Sequence, residues 1–286
     1  MAEPPQGSVA VMALGEDRYG LIRPFWSAGE SSSSGVTAVA VAADGTVLVL
    51  RRSDPPIVRV APDGAVLGYL GGGLILDGHA LMVAPDGLIW VVDRDAHEVL
   101  ALDPRGTVVC RLGERHHPVQ DGGLNHPAAV AVAPDGRVLV ADGYGNNMVH
   151  VFDVDGRPVH RFGGRGSGRG RFSTPHGILI DRDGRVLVAD REHDRVQVLD
   201  LEGRFLAEWS ELHRPMALAM ASDGSILVSD QVPRLSRFRE GRFVGACRPV
   251  ATAGHGLAVG PDGSIYLAET PPLDRVVRLE PIMALR

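Results

Sequence analysis

The sequence predicts an all-β fold built from six similar units, and the prediction rests on a recurring turn, its spacing and the apolar runs around it. The chain has 286 residues, including 36 Gly and 20 Pro, so turns are frequent. An Asp-Gly pair between two apolar runs recurs with the aspartate at Asp44, Asp86, Asp135, Asp183, Asp223 and Asp262. The spacing of 39 to 49 residues is typical of four-stranded propeller blades, and the 3.6-residue period of a helical solenoid is absent. We therefore expect one domain over residues 1–286, a six-bladed β-propeller with four antiparallel strands per blade.

The third unit illustrates how each blade is predicted. A first apolar run at residues 129–133 turns at Pro-Asp-Gly and continues as a second run at residues 138–142. A third run at 149–153, a second Asp-Gly turn and a fourth run at 158–162 follow. Runs of four to six β-branched and small residues joined by short Asp-Gly turns are typical of antiparallel hairpins. Each unit therefore supplies four strands.

The two ends of the chain predict how the ring closes. The sixth unit ends after its third strand at residues 276–279, whereas residues 9–26 precede the first unit. We expect this N-terminal segment to supply the missing outer strand. The serine run at 31–34 is expected to be a flexible connection. The Gly/Arg-rich segment 163–170 is expected to be an inter-blade loop, because no helix follows it as a phosphate-binding loop requires.

Composition and charge exclude several classes of function. The formal net charge is −6 and all 29 basic residues are Arg, which disfavours nucleic acid or an anionic membrane as a partner. Without Lys, neither a Schiff base nor a Lys-type phosphate-binding loop is available. No apolar stretch approaches the roughly 18 residues of a membrane span, and residues 1–5 lack the features of a secretory signal. We expect a soluble monomer of the bacterial cytoplasm, with Cys110 and Cys247 as unpaired, packed thiols.

Equivalent positions of the six units place three histidines together. Seven residues before each turn aspartate stand Thr37, His79, Ala128, His176, Met216 and His255. Equivalent positions of a propeller lie at one height around the axis, and alternate blades of six are about 120° apart. Three imidazoles with an open fourth position are the ligands of catalytic zinc, although iron, copper or nickel would also accept them. The alternative is three unrelated channel histidines bonded to backbone or water.

A second set of equivalent positions predicts an anion-binding rim. Eight residues after each turn aspartate stand Arg52, Arg94, Gly143, Arg191, Gln231 and Thr270. Three guanidinium groups on one rim suit a substrate carboxylate. Tyr144 lies beside this set between two glycines, which permit an unusual backbone path.

An acidic residue ends the second strand of five of the six units. These residues are Asp93, Asp142, Asp190, Asp230 and Glu269. They occur in blades with and without a histidine, so we expect them to be structural.

Two stretches carry a resemblance to a known family. Residues 162–191 include Phe-Ser-Thr-Pro-His-Gly at 172–177 and Val-Ala-Asp-Arg at 188–191, and they resemble an NHL repeat. Together with Asp-Gly-Tyr-Gly-Asn at 142–146, they are similar to the peptidyl-α-hydroxyglycine α-amidating lyase family, over residues of about 36 to 280. That family cleaves α-hydroxyglycine-extended peptides to an amide and glyoxylate.

The resemblance implies a role for each candidate site residue. It implies that zinc is held by His79, His176 and His255. It further implies that Tyr144 is the catalytic base and that Arg52 and Arg191 bind the substrate.

The sequence also departs from the family's pattern. The family's calcium site would use the main-chain carbonyls of Val39 and Leu81 and an Asp directly after the third zinc ligand, which here is Gly256. Calcium prefers several oxygen ligands, so we do not expect it to bind. Arg94 is an additional rim arginine, and Ala253 replaces a family Met.

These observations predict a zinc-dependent lyase that cleaves the C–N bond of an N-CH(OH)-COO⁻ compound to an amide and glyoxylate. Arg52 and Arg191, together with Arg94, would hold the carboxylate while Tyr144 takes the hydroxyl proton. The substrate would be a small molecule or peptide that carries a carboxylate. The alternatives are a zinc-dependent hydrolase at the same site and a non-catalytic NHL interaction scaffold. A calcium-type hydrolase or lactonase would need carboxylates or Asn on the axis, where the sequence has Thr, Ala, Met and His.

Overall fold

The computed structural model describes residues 10–29 and 35–282, so the predicted serine connection at 31–34 lies outside the described residues. The described residues form 25 strands in six sheets, and their one helical element is the 3-10 turn Arg191–His193. Within residues 10–29 and 35–282, no helix is long and apolar enough to cross a membrane. The predicted all-β class is confirmed.

The strands follow one another blade by blade. The first two are β1 (Ala10–Leu14) and β2 (Asp17–Ser27). Blade 1 contains β3 (Val36–Val41), β4 (Val47–Arg51), β5 (Ile57–Val60) and β6 (Val66–Leu70). Blade 2 contains β7 (Gly78–Val83), β8 (Ile89–Asp93), β9 (Glu98–Leu102) and β10 (Val108–Gly113). Blade 3 contains β11 (Ala129–Val132), β12 (Val138–Asp142), β13 (Met148–Phe152) and β14 (Pro158–Gly163). Blade 4 contains β15 (Pro175–Ile180), β16 (Val186–Asp190), β17 (Arg195–Leu199) and β18 (Phe205–Trp209). Blade 5 contains β19 (Pro215–Met220), β20 (Ile226–Asp230), β21 (Leu235–Arg239) and β22 (Arg242–Cys247). Blade 6 contains β23 (Gly254–Val259), β24 (Ile265–Glu269) and β25 (Arg275–Pro281).

The six sheets form a closed ring. Each inner strand contacts the inner strands of both neighbouring blades, and β23 contacts β3. The apolar cores lie between adjacent sheets, as in the cluster that joins Leu139 and Val149 of blade 3 to Val186 and Leu199 of blade 4. Because the inner strands surround one axis, equivalent positions of the blades face each other, and the candidate site depends on this geometry.

The N-terminal segment closes the ring with two strands, where we expected one. In blade 6 the strand order is β23-β24-β25-β2-β1, so β2 supplies the missing outer strand and β1 adds a fifth. The expectation of four strands per blade is therefore wrong for this sheet. The reason is that the turn at residues 15–16 lets the segment fold back on itself, with Leu14 paired to Asp17.

A buried arginine fastens this closure. Arg237 of β21 in blade 5 is 4% exposed, and its guanidinium forms an ion pair with Asp17 of β2. The same guanidinium donates a hydrogen bond of 2.8 Å to the hydroxyl of Tyr19. Arg237 therefore joins blade 5 to the strand that completes blade 6.

The Arg237→Ala variant is expected to lose about 2 kcal/mol of unfolding free energy, since hydrogen bonds to a charged group are lost in a mostly buried setting. Urea unfolding would measure the loss. Arg242→Ala is the control, because Arg242 is exposed on the neighbouring strand β22. Equal stability of the two variants would contradict the fastening role of Arg237.

The acids that end the second strands have the structural role we expected. Asp93, Asp142, Asp190, Asp230 and Glu269 are each 0% exposed. They accept backbone N–H bonds from the segments that lead into the inner strands, at Leu76 and Asp77, Asn125, Ser173, His213, and Ala251 and Thr252. These bonds fix where each inner strand begins.

Candidate metal centre

The structure brings together the three histidines that the repeat alignment singled out. His79, His176 and His255 are each the second residue of an inner strand, in β7, β15 and β23. The ring centroids are 4.8 to 4.9 Å apart, and one nitrogen atom of each ring lies within 4.8 Å of the corresponding atoms of the other two. These three residues are the one group of this kind found in the part of the chain that the structure describes.

Each of the three inner strands that carry a histidine has a bulge at that residue. The pairing register shifts between Gly78 and Ala80 and at the equivalent places of blades 4 and 6. The residue left unpaired is the histidine. A bulge redirects a side chain, and here the redirected side chains meet at the axis.

Backbone carbonyls fix the orientation of all three imidazoles. The Nδ1 atoms lie 2.7 Å from the carbonyl oxygen of Ala128 for His79, 3.0 Å from that of Met216 for His176, and 2.8 Å from that of Thr37 for His255. A carbonyl only accepts, so Nδ1 carries the proton and Nε2 keeps its lone pair. The carbonyls come from the same position of the next blade, so the histidines and their acceptors alternate around the ring. The alignment contained these three residues, but we missed their role because it concerns main-chain atoms.

The site keeps the three imidazoles neutral. Burial, followed by the nearby charge of His255, holds the pKa of His79 and of His176 well below the usual value of 6.5. Burial lowers the pKa of His255 to about 4, and the charges of Arg52, Arg191 and Arg94 act in the same direction. Neutral imidazole is the form that binds a metal.

Tyr144 completes the centre and makes it rich in lone pairs. Its hydroxyl oxygen lies 3.0 Å from Nε2 of His79 and 3.0 Å from Nε2 of His176, and it accepts a hydrogen bond of 3.2 Å from Arg191. Both Nε2 atoms are acceptors, so the single phenolic proton satisfies only one of them. His255 adds a third Nε2 lone pair. A centre with more lone pairs than protons suits a cation, and three neutral imidazoles are the donor set of catalytic zinc.

The two glycines around Tyr144 are required by the packing of its loop. A Cβ atom on Gly143 would lie 2.2 Å from the carbonyl oxygen of Pro175, and one on Gly145 would lie 2.2 Å from that of Asn125. The buried Asn146 then donates to Asp142, 2.8 Å away, which anchors the loop. Only glycine lets the loop backbone lie this close to the carbonyl oxygens of Pro175 and Asn125, and this backbone path places Tyr144 beside the histidines.

The rim arginines lie close to Tyr144. The guanidinium carbon atoms of Arg94 and Arg191 are 5.5 Å and 5.3 Å from the centre of its ring. Arg52 lies farther round the rim, where its Nε is bonded to Asp77 at 2.6 Å.

Acidic residues that we did not predict share the rim with these arginines. Asp77 also contacts Arg94 at 2.5 Å, and Asp95 accepts from Arg94 at 2.8 Å. Glu192 accepts from Arg191 at 2.9 Å and from Arg214 at 2.6 Å. These hydrogen bonds lower the pKa of Glu192 although burial opposes the shift. The rim is therefore a lattice of ion pairs, whereas the repeat positions alone had suggested a purely cationic rim.

Behind the histidines runs an apolar channel of about 390 Å³, lined by the inner strands. Val39 and Leu81 line it as the resemblance implied, but no described lining residue is acidic. Gly256 leaves no room for a side chain, since a Cβ atom there would lie 2.6 Å from Cα of Ala38. Position 256 therefore has no room for the carboxylate that the resemblance would place there.

The Gly256→Ala variant is expected to lose about 2 kcal/mol of stability, because the added methyl group meets backbone atoms of the neighbouring blade. Thermal unfolding would measure the loss. Gly168→Ala is the matched control, since a Cβ atom at Gly168 has no neighbour within 4 Å. A melting temperature of Gly256→Ala equal to that of the control would contradict this prediction, because it would mean that β23 and β3 can move apart without loss of stability.

Of the described histidines and cysteines, only His79, His176 and His255 line the channel. The repeat positions place the other histidines in loops or outer strands, but His150 is 5% exposed on the third strand of blade 3, so that expectation is wrong for His150. Its Nε2 atom lies 3.3 Å from Oδ2 of the buried Asp142. Both cysteines are free thiols, as expected, and burial raises the pKa of Cys247 to about 11.

Comparisons with known proteins agree with this architecture. A family model described as a 6-bladed beta-propeller matches residues 125–223. The chain is 30% identical over 241 residues to the peptidylglycine alpha-amidating monooxygenase of Rattus norvegicus, and the alignment covers 74% of this chain and 24% of that protein. It is 34% identical over 146 residues to a Caenorhabditis elegans protein named a probable peptidyl-alpha-hydroxyglycine alpha-amidating lyase. That alignment covers 49% of this chain and 42% of that protein. The chain therefore spans less than half the length of either relative.

Two further matches concern the repeat and the fold. The chain is 29% identical over 260 residues to the NHL repeat-containing protein 3 of Mus musculus, covering 79% of this chain and 74% of that protein. A solved gluconolactonase from Xanthomonas campestris superposes with a TM-score of 0.73 at 13% identity, covering 99% of this chain and 98% of that chain. At that identity the structural match concerns the fold alone.

Proposed function

We propose, on the premise that this chain is a six-bladed β-propeller homologous to the peptidyl-α-hydroxyglycine α-amidating lyases, that it is a zinc-dependent carbon–nitrogen lyase. Its substrate would be an N-acyl-α-hydroxyglycine, and its products a primary amide and glyoxylate. One observation carries the proposal. The hydroxyl oxygen of Tyr144 lies 3.0 Å from Nε2 of both His79 and His176, so a proton-accepting group stands beside a three-imidazole centre.

The metal would be held by Nε2 of His79, His176 and His255, whose Nδ1 protons are already engaged by backbone carbonyls. Zinc at such a site supplies a Lewis acid that makes a bound hydroxyl group more acidic.

Arg52 is the rim arginine best suited to the substrate carboxylate. Its Nε forms an ion pair with Asp77, and its terminal nitrogens make no hydrogen bond to the residues that the structure describes. Its side chain is 41% exposed, so a ligand can reach it. A guanidinium edge of this kind can donate two parallel hydrogen bonds to a carboxylate.

Arg191 serves Tyr144. It donates a hydrogen bond of 3.2 Å to the phenolic oxygen and so helps to hold that oxygen beside the histidines. In the proposed reaction the oxygen of Tyr144, acting as the base, takes the proton of the substrate hydroxyl, the C–O bond becomes a carbonyl, and the C–N bond breaks with its electron pair moving to nitrogen. Tyr144 then returns the proton to that nitrogen, which gives the amide and glyoxylate without consuming water.

Release of glyoxylate from N-benzoyl-α-hydroxyglycine tests the proposal. We expect the protein purified with zinc to release glyoxylate well above the spontaneous rate, to stop after chelation, and to recover when zinc is returned. A rate that equals the spontaneous one in the zinc-loaded protein would overturn the proposal.

A further inference from the structure

Asp77 forms ion pairs with two arginines of adjacent blades, Arg52 and Arg94. It stands two residues before His79, and its Oδ1 is 2.6 Å from Nε of Arg52 in blade 1. Its Oδ2 is 2.5 Å from a terminal nitrogen of Arg94 in blade 2. The side chain of Asp77 is only 9% exposed, so its carboxylate is largely shielded from water.

The backbone of Asp77 is held as firmly as its side chain. Its N–H donates to the buried Asp93 at 2.9 Å, and its carbonyl accepts from the N–H of Arg94 at 3.0 Å. The backbone that carries the carboxylate is therefore fixed where the chain enters blade 2. A side chain paired with this carboxylate is held in a defined orientation.

The two arginines differ in how many of their nitrogen atoms can still bind a ligand. Arg94 also donates through Nε to Asp95 and places its charge against the ring of Tyr144, 5.5 Å from the ring centre. Arg52 has only its Nε engaged, within the described residues, and its terminal nitrogens remain available. Arg52 is therefore the arginine that Asp77 orients, while Arg94 braces the phenol.

Net charge does not explain carboxylate binding at this rim. Four arginines, Arg52, Arg94, Arg191 and Arg214, form ion pairs with the three acids Asp77, Asp95 and Glu192, so the excess positive charge is small. Attraction by excess positive charge is weak in such a lattice. Recognition then depends on the orientation of a guanidinium edge.

We propose that Asp77 is a positioning residue for carboxylate recognition, which fixes the guanidinium of Arg52 so that its terminal nitrogens form the substrate's carboxylate site. This inference rests on the proposed function, because it specifies how that substrate's carboxylate is held. It assigns a specificity role to an acidic residue at an anion site. Removal of that acid should weaken anion binding although it makes the rim more positive.

Glycolate, a small α-hydroxy carboxylate, is a suitable probe, and calorimetry with zinc-loaded protein measures its affinity without any turnover. For Asp77→Asn we expect affinity to fall about tenfold, because Arg52 loses the ion pair that fixes its guanidinium. Asp95→Asn is the matched control, since it removes the same charge from the same rim but does not contact Arg52; we expect its affinity to stay within twofold. In an Arg52→Lys background, Asp77→Asn should have no further effect.

Unchanged or tighter glycolate binding by Asp77→Asn would overturn the inference, because it would mean that net charge governs the site. Zinc content and melting temperature show whether this variant is folded. If it is not, Asp77→Glu keeps the charge but displaces the carboxylate by one methylene, and it should also weaken binding. Wild-type protein that binds zinc but not glycolate would overturn the proposed function together with this inference, whereas binding that Asp77→Asn leaves intact overturns the inference alone.

Discussion

The Tyr144→Phe variant is expected to bind zinc as the wild type does and to lose turnover by about 1,000-fold. The hydroxyl oxygen is the one atom removed, and it is the atom that lies 3.0 Å from two imidazole nitrogens and 3.2 Å from Arg191. The ring would keep its contacts with Arg94 and Arg191, so the loop should not move. The measurements are kcat for glyoxylate release and zinc content of the same sample.

Tyr69→Phe is the control for the Tyr144 variant, since Tyr69 is 53% exposed on an outer strand. It should keep wild-type turnover. If Tyr144→Phe retained a rate within threefold of the wild type, the phenol would not be the proton acceptor, although the metal site itself could stand.

The His176→Ala variant is expected to lose zinc and activity together. Removing one of three ligands should weaken zinc binding by more than the 10- to 100-fold that is typical of outer-shell changes. Elemental analysis of protein purified without added metal should find about one zinc per chain in the wild type and almost none in the variant.

His160→Ala provides the comparison for this ligand removal. His160 lies on β14, where it contacts the carbonyl oxygen of Leu201 at 3.1 Å, far from the axial group. It should keep its zinc. Equal zinc content in wild type and His176→Ala would place the metal elsewhere, and no zinc uptake by the wild type would leave the scaffold alternative.

The features predicted from sequence were those that repeat. The Asp-Gly turns recur because each hairpin needs a residue at positive φ, and the six glycines that follow the aspartates have φ of 75° to 86°. Because the turn aspartate occupies the same position in every blade, the residue seven places before it is also equivalent in every blade. In three blades that residue is a histidine, namely His79, His176 and His255. Tyr144 could be singled out because its flanking glycines mark an unusual backbone path.

What escaped prediction depends on contacts between elements that the repeat does not encode. Asp77 has no equivalent acid in the other units, so the alignment did not single it out. The carbonyls that orient the imidazoles belong to Thr37, Ala128 and Met216, whose side chains carry no signal for that role. The strand β1 was missed because its pairing with β2 lies within the N-terminal segment and has no counterpart in the other units.

The identity of the product formed with glyoxylate tests the central claim most directly. Zinc-loaded protein would be incubated with N-benzoyl-α-hydroxyglycine, and the benzoyl product would be identified by mass spectrometry. The lyase account predicts benzamide in a one-to-one ratio with glyoxylate, since the C–N bond on the glycine side breaks. Benzoate in place of benzamide would contradict it, because a zinc-dependent hydrolase would have cleaved the acyl bond with water.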